Sequence, residues 1–138
     1  MEDSIVARID ELDRVLKWLD DKIRDKDVVV LLQGDLASGK TTLVKEYVSY
    51  LGLNEAVTSP TFSLQSIYDK TIFHYDIYNK SIEEFLSLGL LEEFQKSGIH
   101  FVEWGDEKLE RLLKRLGLRV LVIKIKHLKN KREYICTS

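Results

Sequence analysis

The chain has 138 residues, a length that suits one domain and lets it bury roughly two thirds of the surface its unfolded form exposes, so it needs no disulfide or metal staple. With 44% hydrophobic and 32% charged residues and a formal net charge of −2, the composition is that of a soluble globular protein and argues against wholesale non-specific binding to nucleic acid. A single cysteine, Cys136, excludes an internal disulfide and fits a reducing cytoplasm, and no apolar run approaches the roughly 18 residues of a membrane span.

Met1–Asp10 is charged and lacks an apolar core. Ile9, Leu12, Val15, Leu16, Leu19 and Ile23 then recur at helical spacing and predict an amphipathic helix over Ile9–Ile23. Val28–Gln33 is a short, β-branched apolar run that suits a buried strand. Gly34–Thr42 follows, and Leu43–Leu51 reads as a helix ended by Gly52. Phe62–Tyr68 and Thr71–Tyr78 read as strands joined by a tight turn at Asp69–Lys70. Ser81–Phe94 is helical, with Ser81 as N-cap, Glu84 completing a capping box, and Gly89 as an interruption. Ile99–Glu103 is a strand, Asp106–Leu116 a helix stopped by Gly117, Leu118–Ile125 a strong strand and Arg132–Cys136 a weaker one. Alternating strands and helices predict a single α/β domain of the P-loop NTPase type, with helices covering a mixed sheet.

Gly34-Asp35-Leu36-Ala37-Ser38-Gly39-Lys40-Thr41 matches G-x-x-x-x-G-K-[ST] at every fixed position. By chance the four fixed residues coincide about once in a few hundred chains of this size. The match also lies between an apolar strand and a helix, as its chemistry requires. A polyphosphate needs many donors at short range. Glycines let the loop wrap so that backbone N–H groups point inward, and the following helix adds its own free N–H groups and the positive end of its dipole. Lys40 reaches the β- and γ-phosphates, and Thr41 offers a hydroxyl to Mg²⁺. Thr42 continues the phosphate-binding set. The expected ligands are ATP and Mg²⁺. The nearest guanine-type motif, Asn130-Lys131-Arg132-Glu133, has Glu where Asp is needed and reads as a solvated turn.

A P-loop ATPase also needs a carboxylate at the end of a neighbouring strand. Glu103 ends Ile99–Glu103 and is the candidate metal partner, with Trp104 behind it as a core residue. His74, Asp76 and Tyr78 share one strand face, opposite Phe73, Tyr75 and Ile77, and the simplest reading is a sheet with one wet face. His100 and His127 have no metal-ligand spacing and read as structural or surface residues. Thr58-Ser59-Pro60-Thr61-Phe62 stands where switch-type nucleotidases sense the γ-phosphate, although a plain polar connection accounts for it equally well.

These residues together resemble the TsaE (YjeE) family, small bacterial ATPases of tRNA threonylcarbamoyladenosine biosynthesis. The resemblance is carried by the P-loop with Thr41-Thr42, by Thr58–Phe62, by His74-Tyr75-Asp76-Ile77-Tyr78 and by Glu103-Trp104, and runs from Asp27 to Trp104. It implies an ATP-hydrolysing accessory that assists a TsaB–TsaD pair in modifying adenosine 37 of tRNA. Lys40 and Thr41 would bind phosphate and Mg²⁺, Thr61 would belong to the switch segment, and Asp76 and Glu103 would be the acids required for hydrolysis. The chain departs from the family in having Ala37-Ser38 where Gly-Ala is frequent, Asn79 where Arg often follows the Tyr, and Gly105 where Pro is common after the Trp. Gly105 in that position would loosen the turn.

Two other classes share the P-loop. A small-molecule kinase needs an arginine-bearing lid; Arg111, Arg115 and Arg119 lie near a helix, but no lid segment is visible. A nucleotide-gated binding module would bind without turnover. The basic stretch Lys124–Arg132 reads as an edge strand protected by lysines and leaves direct tRNA contact open. No arginine is placed by the motifs beside the γ-phosphate.

Overall fold

The structure is a computed structural model that describes residues 2–35, 39–54, 56–58, 64–77, 81–87 and 89–138. In chain order the elements are β1 (Glu2–Ala7), α1 (Leu12–Ile23), β2 (Val28–Gln33), α2 (Lys40–Tyr50), β3 (Val57–Thr58), β4 (Gln65–Tyr68) and β5 (Ile72–Asp76). They continue with α3 (Ile82–Ser87), α4 (Leu90–Glu93), β6 (Ile99–Glu103), α5 (Glu107–Arg115), β7 (Val120–Leu128) and β8 (Lys131–Thr137).

Among the described residues the strands form one eight-stranded sheet in the order β1-β8-β7-β2-β6-β5-β4-β3. Its centre, β7-β2-β6-β5, is parallel, and antiparallel strands extend it on both sides. The sheet is mixed, as expected. β2 sits between two parallel neighbours with both faces covered, and Val28–Leu32 is accordingly an unbroken buried apolar run. Alternation along the strands divides the core. One layer packs Val28, Val30, Leu32 and Phe101 against α1 and α2. The other packs Val29, Leu31, Tyr75 and Val102 against Leu90, Leu109 and Leu113.

Local signals act where they were expected. Gly52 follows the C-cap of α2 with φ of 71°, in the left-handed conformation that favours glycine. Asp69 and Lys70 both have positive φ in the β4–β5 turn. The Ser81 hydroxyl accepts from Glu84 N at 3.1 Å, and Gly89 separates α3 from α4. Asp106 caps α5 by accepting from Leu109 N at 2.9 Å.

One strand goes beyond the elements expected from the sequence, and two expectations are corrected. The charged N-terminus forms β1, held by its pairing with β8 from Glu2↔Thr137 to Ala7↔Arg132. Ile9, expected on the buried side of the first helix, lies in a 3-10 turn before α1 and is 77% exposed. β7 is not an edge strand, because β2 and β8 flank it; Lys124 and Lys126 are exposed all the same. No helix of the described residues is long and apolar enough to cross a membrane.

Candidate functional site

The site lies at the C-terminal ends of the parallel strands, where ligands of open α/β sheets bind. β2 ends at Gln33, and α2 begins at Lys40 with Gly39 as N-cap at φ 102°. Gly39 has no side chain to cap this helix start, and the N-terminal end of a helix presents N–H donors and a positive dipole end to an anion. Gly34, Asp35, Gly39, Lys40, Thr41 and Thr42 are all in place around this junction. Leu36, Ala37 and Ser38 lie outside the described residues, as do Thr61 and the rest of residues 59–63. Thr58 pairs with Ser66 at the far edge of the sheet.

Lys40 is 3% exposed, and its ammonium donates to the carbonyls of Gly34 and Asp35, both at 2.8 Å. It also lies 3.9 Å from the centroid of the Trp104 ring, a cation–π contact. Burial holds this ammonium below its ordinary value, against the opposing pull of the negative charges of Glu103, Asp35 and Asp76. Trp104 reaches its position through a left-handed backbone, φ 71°, and its N–H donates to Leu32 O at 3.1 Å. Gly105 does not loosen the turn: its carbonyl accepts from Gln33 Nε2 at 2.9 Å, and a methyl there would press on Leu31 Cδ2 at 2.8 Å.

Glu103 is 4% exposed at the end of β6. The Thr41 hydroxyl donates to its two oxygens at 2.9 and 2.7 Å. His74 Nε2 lies 2.5 Å from Oε2. Burial pushes the Glu103 carboxyl upward, but the hydrogen bonds from His74 and Thr41 and the charge of Lys40 outweigh it and hold the group below its usual value. The carboxylate is therefore ionised and can only accept, so His74 donates from Nε2. Asp76 is exposed and directly opposite Glu103 in the β5–β6 register.

Lys40, Thr41, Glu103 and Asp76 thus converge from the start of α2 and two strand ends. The wet-face reading of β5 fails at His74, which is 9% exposed and tied to Glu103; Asp76 does face solvent, and Tyr78 lies outside the described residues. The alternation placed His74 on the face of Asp76, but nothing in the sequence shows that β6 and α2 would cover it.

Sequence reasoning also missed Arg132. Its guanidinium lies over Gly39: a methyl built on that glycine would run into Nη1 and stand 3.0 Å from Cζ. Arg132 lies in β8, as the weaker strand Arg132–Cys136 leads one to expect, but it is half-buried rather than in a solvated turn, and its reach to Gly39 has no signal in the sequence.

The site thus sits on a mixed α/β sheet flanked by helices, at the junction of β2 with α2 and beside the acids that end β5 and β6. A family model, threonylcarbamoyl adenosine biosynthesis protein TsaE, matches residues 6–134, and the chain belongs to this family. Among its relatives, the tRNA threonylcarbamoyladenosine biosynthesis protein TsaE of Treponema pallidum is 38% identical over 106 residues, covering 72% of this chain and 78% of the relative. The protein of the same name from Bacillus subtilis is 34% identical over 119 residues, covering 78% and 75%. The crystal structure of YdiB from Bacillus subtilis is similar with a TM-score of 0.59 at 27% identity, covering all of this chain and 87% of that one.

Proposed function

We propose that the protein binds ATP with Mg²⁺ at Gly34–Thr42 and hydrolyses it as an accessory in the threonylcarbamoylation of adenosine 37 in tRNA, acting with a TsaB–TsaD-like pair. The observation that carries this reading is the joining of Thr41 to Glu103 beside a buried Lys40 at a glycine-led helix start. That arrangement suits a polyphosphate with its cation, and family membership supplies the pathway.

The donor set fits Mg²⁺. Thr41 and Glu103 offer oxygen atoms only, and Mg²⁺ takes one or two protein oxygens together with phosphates and waters. Among the described residues no group of three or more His, Cys, Asp and Glu is gathered as a self-sufficient metal cage. Thr41 and Glu103 would hold the ion, which neutralises charge on the phosphates when bound.

The chain's own residues then have separable tasks. The first-turn N–H groups of α2 and the Lys40 ammonium, which leaves the Gly34 and Asp35 carbonyls and the Trp104 ring, bind the phosphates. His74 keeps Glu103 oriented and ionised. Asp76, facing solvent beside Glu103, is placed to orient the attacking water. Hydrolysis resets the complex between rounds of modification.

Phosphate release tests this, measured on the purified protein alone and with the partner pair, together with tRNA nucleoside analysis after depletion. Slow turnover alone, acceleration by the partners and loss of the modified nucleoside are expected. Fast turnover indifferent to partners would count against the mechanism, and a phosphorylated small molecule would favour a kinase.

A further inference from the structure

We infer that Arg132 is a phosphate ligand supplied by the chain itself, gripping the α- and β-phosphates from the nucleoside side of the loop. The inference rests on the reading of Gly34–Thr42 as a nucleotide site and adds to it a residue outside the motif.

The backbone of Arg132 is fixed on both sides, paired with His127 of β7 and Ala7 of β1. From there the side chain reaches the start of α2 and covers Gly39. A glycine here leaves the backbone bare, so that a phosphate can approach the N–H groups closely. The guanidinium therefore sits over the surface that a bound polyphosphate would cross.

Its placement is electrostatically unfavourable without an anion. The start of α2, at Gly39, carries the positive end of the helix dipole. None of the ion pairs among the described residues includes Arg132. A guanidinium held against the positive end of a helix is reconciled by a phosphate between them, and a guanidinium fork suits phosphate oxygens.

The sheet order sets the direction in which the nucleotide lies. Glu103 on β6 and Asp76 on β5 stand to one side of β2; β7 and β8 stand to the other. The γ-phosphate belongs with the acids and Thr41, so the nucleoside leaves toward β7 and β8, past Arg132. There a hollow of about 370 Å³ is lined by Ile9, His127, Leu128, Asn130, Lys131 and Arg132. Its apolar walls, Ile9 and Leu128, are 77% and 40% exposed. A volume in the range of small-molecule sites, bordered by the phosphate-gripping residue, is where the base end of the nucleotide would rest.

Titration calorimetry with ADP and with ATP, both with Mg²⁺, on wild type, Arg132→Ala, Arg132→Lys and Lys40→Ala tests the assignment, with melting curves to confirm folding. Arg132→Ala should weaken ADP and ATP alike, by about 10–100-fold, because both carry the α- and β-phosphates. Arg132→Lys should recover part of the loss and serves as the test if the alanine variant does not fold. Wild-type affinity for both nucleotides in Arg132→Ala, alongside weakened binding in Lys40→Ala, would overturn the inference and leave the P-loop reading standing. A loss confined to ATP would overturn it by moving Arg132 to the γ end. Failure of wild type to bind either nucleotide would overturn both.

Discussion

Replacing Glu103 by Gln removes one charge and keeps the side-chain length, which separates chemistry from architecture. In the structure the carboxylate accepts from Thr41 and His74. Hydrogen bonds to a charged group contribute about 1.5–3 kcal/mol and neutral ones about 0.5–1.5, so weakening both costs roughly 2–3 kcal/mol. Against this, a side chain only 4% exposed no longer carries a charge, which returns a desolvation penalty of similar size. The net change in stability should stay within about 2 kcal/mol, well below the roughly 5–15 kcal/mol that holds a typical domain folded. Turnover should fall by about 10²–10⁴ if the carboxylate acts on the metal-side oxygens or the attacking water, because that stabilisation appears mainly in the transition state. Single-turnover phosphate release with partners present, ATP titration and thermal melting on the same preparation measure the three quantities. Turnover within about threefold of wild type in a folded variant would return Glu103 to a structural role. Weakened affinity with unchanged turnover at saturating ATP would show that it contributes to binding alone.

Trp104 should report occupancy: nucleotide draws Lys40 from its ring, so Trp18→Phe should retain an ATP-induced change in tryptophan emission and Trp104→Phe should lose it. His100 should set part of the acid sensitivity. Burial holds its imidazole below the ordinary value of 6.5, with the Lys96 carbonyl and nearby acids opposing. The unfolded chain therefore takes up the proton first, and stability is complete above about pH 6.5 and falls as pH drops below it. Urea midpoints across pH should fall less steeply there in His100→Phe, which at neutral pH should itself be less stable by about 1–3 kcal/mol, because the Tyr75 hydroxyl and Lys96 carbonyl lose partners now at 2.8 Å. Glu103 adds a second loss as pH falls below about 4.5, its folded value being depressed. Gly98→Ala should destabilise by about 2 kcal/mol or more, since φ is 130° and a methyl would strike the Thr71 carbonyl oxygen; Gly117→Ala, also at positive φ but with open space around it, should cost about 1 kcal/mol in the same melts.

The sequence revealed most where local chemistry decides structure. The buried run Val28–Leu32, the capping residues Ser81 and Asp106 and the stop at Gly52 act through neighbours in the chain. Glu103 was legible because a strand's last residue has a defined place in an α/β sheet. What stayed hidden depends on distant pairing. β1 has little apolar signal, with Ala7 its one buried residue, and exists because β8 offers it an edge. His74 is polar in sequence and buried in space because its partner lies 29 residues away. Arg132 and Gly39 are separated by most of the chain, and no motif links them.

The central claim is that Lys40 and the loop around it hold ATP. Titration of ATP with Mg²⁺ into wild type and Lys40→Ala tests it most directly, with melting curves confirming that both are folded. Wild type should show saturable one-to-one binding and the variant at least a tenfold weaker affinity, since a buried ammonium bonded to charged phosphate contributes about 1.5–3 kcal/mol. Equal affinity in the two folded proteins, or no binding to wild type, would contradict it.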